Sequence, residues 1–193
     1  MKHFKLASAA AFVLSVAAAG VAQADSGIVR FVGTVTDETC VIGPGVGAVG
    51  APGDITVPLT PVSATDLATN GATAGRKTFE LVFSNGEGGG CGSQTITQAQ
   101  FQYVARSQAV DAGTGNLRNN ILPSQGGAEN VQIQLLQPNG GAAIDLRAHT
   151  ADVVPLQEDA VSRLAYDVQY IAPTGNASAG GVETFVQYEA TYN

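Results

Sequence analysis

Apolar and polar side chains alternate with a period of two through most of this chain, the spacing that sends successive side chains of an extended strand to opposite faces. The first such stretch is Ser26 to Thr36, with Gly27, Val29, Phe31, Gly33 and Val35 on one face and Ile28, Arg30, Val32, Thr34 and Thr36 on the other. It is a strand with two open destinations: pairing with another copy of the protein, or the first strand of its own sandwich.

Further on, Asp54 to Leu59 alternates Ile55, Val57 and Leu59, with Pro58 marking an edge or a bulge. Lys77 to Ser84 sets Phe79, Leu81 and Phe83 against Thr78, Glu80 and Val82, a half-buried strand. Ile96 to Ala105 carries Phe101 and Tyr103 and leads to a polar turn region from Asp111 to Asn120. Ala128 to Leu136 has Val131, Ile133 and Leu135 on one face, and Pro138 to Gly141 turns the chain into 142–146, which predicts a hairpin. Leu164, Tyr166, Val168 and Tyr170 alternate next, Pro173 to Gly181 is a loop, and Val182 to Tyr192 is a long final strand. Ser63 to Asn70 is expected to form a brief helical turn. The Gly- and Pro-rich run Gly43 to Gly53 opposes helix and central strand and is expected to be a flexible surface loop, and Asn85 to Gly92 a second one. Short strands at regular spacing, without a convincing amphipathic helix, predict an all-β sandwich.

The beginning of the chain has a different pattern. Lys2, His3 and Lys5 precede an apolar run from Leu6 to Ala19 that ends in Ala22-Gln23-Ala24. This is the charged start, apolar middle and small-residue cleavage site of a secretory signal peptide over residues 1–24. The apolar run is short of the roughly 20 residues of a transmembrane helix, and membrane insertion of the mature chain is not expected. The 169 residues that follow suffice for one domain with a real core. Without Lys2 and Lys5, seven basic residues stand against sixteen acidic ones, a balance of −9 that disfavours nucleic acid and anionic membrane as partners. Cys40 and Cys91 are the two cysteines, and in an exported protein an even count is most simply a disulfide. The loop closed would be about 50 residues, for which chain entropy gives roughly 4 kcal/mol of stabilisation. A metal site is the weaker alternative, since His149 is the only histidine of the mature chain.

No stretch carries catalytic chemistry. Gly71 to Thr78 has the wrong glycine spacing for a phosphate loop, with Arg76 where the lysine should stand. His149 lies in a polar stretch with no nucleophile signature near it and is expected to be a solvated loop histidine. Glu158 and Asp159 are adjacent, hence on opposite faces if extended, and make a poor carboxylate pair. No cofactor is expected.

The C-terminal strand points to a family. Gly180 is fourteenth from the end and Tyr192 penultimate, with Val182, Thr184, Val186, Tyr188 and Ala190 alternating between them. Taken with the signal peptide, a cysteine soon after the mature N-terminus and a second after Lys77 to Ser84, the chain resembles pilus subunits of the chaperone/usher pathway, of the type 1 fimbrial kind. The resemblance spans essentially the whole mature chain. It implies an incomplete immunoglobulin-like β-sandwich, missing its last strand, with one disulfide and a hydrophobic groove where that strand should lie. In this family a periplasmic chaperone first lends a strand to the groove. At the outer-membrane usher the N-terminal extension of the next subunit replaces it, a case of β-strand addition. The implied partners are other pilin subunits in a homopolymer, the chaperone and the usher, and the implied destination is a fimbria at the cell surface.

Position by position, the resemblance makes Gly27, Val29, Phe31, Gly33 and Val35 the inserted residues of the donor strand. Gly33 matches the family's glycine, set at a constriction of the groove, and Val35 the position that begins the exchange. Phe31 would contribute about 2–3 kcal/mol by burial. Gly180, Val182, Thr184, Val186, Tyr188, Ala190 and Tyr192 form the strand that meets chaperone or subunit. The implied division is signal peptide 1–24, donor extension 25–37 and pilin domain 38–193. Three features depart from the family's pattern: Gly27 stands where a larger residue is usual, Cys91 lies several residues beyond Asn85, and the 43–53 run is longer than usual. The leading function is a polymerising shaft subunit supporting bacterial adhesion, not an enzyme. The alternatives are a minor or adaptor subunit of the same pilus, or a free secreted carbohydrate-binding sandwich; a tip adhesin would need a further N-terminal domain for which the chain has no room.

Overall fold

The computed structural model describes residues 40–93, 96–104 and 109–193. The signal peptide and the donor extension expected over residues 1–37 lie outside them. Among the described residues the strands are β1 (Val41–Pro44), β2 (Val49–Ala51), β3 (Asp54–Thr56), β4 (Ala72–Ser84), β5 (Gln98–Val104), β6 (Leu117–Arg118), β7 (Gln132–Leu136), β8 (Asp152–Pro155), β9 (Ser162–Ala172) and β10 (Gln187–Tyr192). A five-stranded sheet has the order β1-β4-β9-β7-β6, a three-stranded sheet β10-β5-β8, and β2 and β3 form a small hairpin. Neighbouring strands in all three sheets run antiparallel.

The alternation read from the sequence is what joins the sheets. Phe79, Leu81 and Phe83 of β4 and Tyr166 and Val168 of β9 point inward and are buried, as are Phe101 and Tyr103 of β5. The Phe101 ring meets Phe83 edge-on at 6.2 Å and Tyr166 at 6.2 Å, so one aromatic of the small sheet clamps two strands of the large one. Each fully buried ring contributes about 2–3 kcal/mol by area. Cys40 and Cys91 are joined, with Cα atoms 5.2 Å apart, and fasten the start of β1 to the loop that follows β4. The expected helical turn is a 3-10 helix over Ala64–Leu67, started by a capping box between Ser63 and Asp66.

Three expectations change and one is narrowed. The run Gly43 to Gly53 is not a free loop: it contains the end of β1, then β2, and it lies along β4 through Gly45 N–H to Glu80 O at 2.9 Å and Glu80 N–H to Val46 O at 2.9 Å. Glycine is what permits the approach, because a Cβ at Gly47, whose φ is +78°, would stand 2.2 Å from Thr78 O. The hairpin after β7 is short: residues 142–146 return antiparallel through one bridge, Leu136 to Ala143, with Gln137 N–H to Ala142 O at 2.9 Å and Ile144 N–H to Leu135 O at 2.8 Å, while the sheet neighbours of β7 are β6 and β9. Strand β8 was not anticipated; Asp152, Val153, Val154 and Pro155 carry no clear alternation, and β8 exists because it pairs with β5. Finally, Val182 to Tyr192 is a ladder strand only from Gln187; before it the chain is held at Glu183, whose O accepts from Asn120 N–H at 2.7 Å and whose N–H donates to Asn119 Oδ1 at 3.0 Å.

Candidate functional site

The part of the C-terminal run before β10 borders an open groove of about 730 Å³. One lip is Val182 to Val186 continuing into Tyr188, and the other is Ile55 to Leu59. The floor is the inner face of the large sheet, with Phe79 and Leu81 from β4, Ile133 and Leu135 from β7, and Val168 and Tyr170 from β9. These residues are apolar because they are the core positions of a sandwich; they remain buried, and the groove between the lips opens onto them.

Both lips keep the period of a strand but are paired only in part: Ile55 and Thr56 pair with β2, Tyr188 pairs with β5, and Glu183 O accepts from Asn120 N–H at 2.7 Å. Val182, Thr184, Val186, Tyr188, Ala190 and Tyr192 are half-buried while Glu183, Phe185, Gln187, Glu189 and Thr191 are exposed. Thr184 and Val186 make no backbone hydrogen bond to any described residue, nor do Val57 and Leu59 on the opposite lip. Among the described residues, strand β10 pairs on one side with β5 and has no neighbour on the other. A buried sheet edge of this kind carries a row of unsatisfied N–H and C=O groups and is a template for one more strand. The second lip is steadied by Lys77, whose Nζ donates to Pro58 O at 2.6 Å.

One end of the groove is closed by a polar cluster. Tyr103 lines it, and the hydroxyl of Tyr166 donates to Asp152 Oδ2 at 2.5 Å, the same oxygen that meets His149 Nε2 at 3.1 Å. His149 Nδ1 accepts the Tyr103 backbone N–H at 3.2 Å, which places the imidazole proton on Nε2, facing the carboxylate. Burial, and then the charge of Asp152, push the Tyr103 phenol well above the usual tyrosine range; burial, Tyr103 and Asp152 do the same to Tyr166. Both stay neutral, and of the two it is Tyr166 whose hydroxyl donates. His149 is therefore no solvated loop histidine, its side chain being 5% exposed. It caps the N–H of β5 just beyond the point where β8 begins, a role visible only once 149 and 103 are neighbours.

The structure places the family-derived positions unequally. Val182, Thr184, Val186 and Tyr188 line the groove, whereas Ala190 and Tyr192 continue the same face of β10 opposite Phe101 and Ala99. Gly180 stands where the chain presses against the 127–128 backbone, and a Cβ there would lie 2.4 Å from Ala128 N. The donor positions Gly27, Val29, Phe31, Gly33 and Val35 are outside the described residues. The second lip was legible as an alternating stretch with Pro58 as an edge signal; its position opposite the C-terminal run was not.

No family model matches the chain. It is 35% identical over 186 residues to the F17 fimbrial protein of Escherichia coli, covering 93% of this chain and 94% of that protein. It is 33% identical over 178 residues to the major fimbrial subunit SMF-1 of Stenotrophomonas maltophilia strain K279a, covering 89% and 95%. In fold it is similar to the crystal structure of the P pilus rod subunit PapA, with a TM-score of 0.53 at 14% identity over 80% of this chain and 99% of that one. A groove awaiting a strand and these two full-length sequence relatives agree: the chain belongs to the family of chaperone/usher fimbrial subunits.

Proposed function

We propose that this protein is the shaft-forming subunit of a fimbria and that residues 27–35 of one copy fill the groove of the next. Members of the family are structural subunits, not enzymes, that polymerise by strand exchange, and this chain is one of them. The finer assignment is carried by one observation, an apolar groove between two lips of strand periodicity along which Val57, Leu59, Thr184 and Val186 make no backbone hydrogen bond to a described residue. Gly27, Val29, Phe31, Gly33 and Val35 have the period needed to drop alternate side chains onto that floor, while the segment's backbone pairs with the lips. The likeness to a major fimbrial subunit over 89% of the chain supports the shaft role over a minor one. On this proposal residues 1–24 are removed on export, 25–37 are the donor and 38–193 the receiving domain.

The test uses the mature subunit isolated from the periplasm with its chaperone. A synthetic peptide of residues 25–37 is expected to displace the chaperone and to raise the melting temperature of the subunit, since a ligand stabilises only a fold that contains its site. Gly33→Leu in the full chain is expected to abolish fibres while leaving the chaperone complex intact. A chaperone-free monomer indifferent to the peptide would instead be a finished sandwich, and the proposal would fall.

A further inference from the structure

Three buried side-chain polar atoms among the described residues have no hydrogen-bond partner: Tyr103 Oη, Ser162 Oγ and Thr184 Oγ1. Two of the three belong to residues that line the groove. Buried polar groups in folded proteins are almost always partnered, and one left orphaned costs about 1–3 kcal/mol. Thr184 is the sharper case, because it stands on the groove side of the lip between Val182 and Val186. Valine has nearly the same shape and would fill the position without an orphaned hydroxyl. The hydroxyl has a use only if its partner arrives with the missing strand.

We infer that Thr184 is a specificity-determining residue of strand exchange, its hydroxyl donating to the backbone carbonyl of Gly33 in the incoming segment of a second copy. The inference rests on the strand-exchange proposal above. The occupant is the segment just before Cys40, and its groove-facing side, Gly27, Val29, Phe31, Gly33 and Val35, offers no polar side chain. The partner must therefore be backbone, and backbone is accessible past the side chains only at a glycine. Gly33 is the glycine held on both sides by seated residues, Phe31 and Val35, whereas Gly27 is the first of the set. The outward faces also match in charge. Residues 180–193 carry Glu183 and Glu189 and no cation, while residues 26–36 carry Arg30 and no acid. In a groove with a mostly apolar floor, one hydrogen bond at a fixed height makes a two-residue slip of the donor costly, which apolar pockets alone do weakly.

The experiment is a mutant cycle between subunit and peptide. Mature subunit carrying Thr184→Val or Thr184→Ser is isolated with its chaperone and titrated with the 25–37 peptide and with its Gly33→Ala version. Thr184→Val is expected to weaken capture of the native peptide about tenfold, the size of one hydrogen bond, with Thr184→Ser near the natural subunit. Against the Gly33→Ala peptide, Thr184→Val is expected to make no further difference. Equal or tighter capture by Thr184→Val overturns the inference, and so do losses that simply multiply across the cycle. Thr184→Ala repeats the cycle should the valine variant fail to accumulate. If the natural subunit captures no peptide at all, the strand-exchange proposal falls first and this inference with it.

Discussion

Among single residues, Asp152 bears the most on the groove that it does not line. One carboxylate oxygen accepts from the Tyr166 hydroxyl at 2.5 Å and faces His149 Nε2 at 3.1 Å, and His149 in turn holds the N–H of Tyr103. Removing the acceptor strands two donors in a largely buried place, and a stranded buried donor costs more than the hydrogen bond it made. Asp152→Ala is expected to lower the stability of the peptide-loaded subunit by about 2–3 kcal/mol, read from the midpoint of urea unfolding. Asp152→Asn, which keeps an acceptor oxygen, is expected to recover part of that loss. None of this was legible in the sequence, where His149 sits among polar neighbours and Asp152 before an irregular Val-Val-Pro. Local polarity reports exposure only when no other part of the chain folds over it, and here β5 and β9 do.

At the scale of elements, the edge formed by residues 41–59 shows how glycine positions a lip. The chain runs from β1 through the β2–β3 hairpin and returns past Val57 to Leu59, and its seating on β4 depends on Gly47 lying against Thr78 O. Alanine at a positive φ is strained even without a neighbour, and here its Cβ would meet backbone. Gly47→Ala is expected to cost at least ~1 kcal/mol and to weaken peptide capture as well, because the displaced segment carries one lip. Thermal unfolding and peptide titration of the same variant separate the two effects. The sequence marked this run as Gly- and Pro-rich, which locally means loop; the same composition also suits an edge that must approach a neighbour closely. On the outer face of the large sheet the alternation misleads in the opposite sense. Asp167 and Gln169 fall on the polar side of β9, yet they are 2% and 4% exposed. Asp167 accepts from Thr78 Oγ1 at 2.6 Å and from Gly140 N–H at 2.7 Å, and Gln169 bridges Arg76 and Gln134. A turn packed over the face buries them, and periodicity alone cannot foresee a cover.

For the whole molecule, a sandwich with an open groove along one side has little margin, and the Cys40–Cys91 bridge closes a separation of 51 residues within it. Chain-entropy reasoning assigns such a loop roughly 4 kcal/mol, a large share of a domain's stability. Replacing both cysteines by serine is expected to lower the unfolding free energy of the peptide-loaded subunit by about that amount, read as a drop in the midpoint of denaturant unfolding, and to deplete the chaperone-bound subunit from the periplasm. Reductant added to the natural subunit should reproduce the loss in unfolding; an unchanged midpoint in both experiments would show that the bridge does not hold the sandwich.

What the sequence by itself determined is what depends on near neighbours and on composition. The period of two specified the faces of β4, β5, β9 and the C-terminal run, two cysteines in an exported chain specified the bridge, and the spacing of Gly180 and Tyr192 from the end pointed to the family. Only the tertiary structure decided what stands across the groove from the C-terminal run, namely Ile55 to Leu59. A groove is a missing neighbour, and an alternating strand has the same sequence whether or not anything lies beside it. That is why Val182 to Val186 was expected as part of one long strand and instead lies outside any ladder among the described residues, held there by Glu183 O, which accepts from Asn120 N–H at 2.7 Å. It is also why Thr184 reads in the sequence as one more strand residue, and in the structure as a buried hydroxyl without a partner.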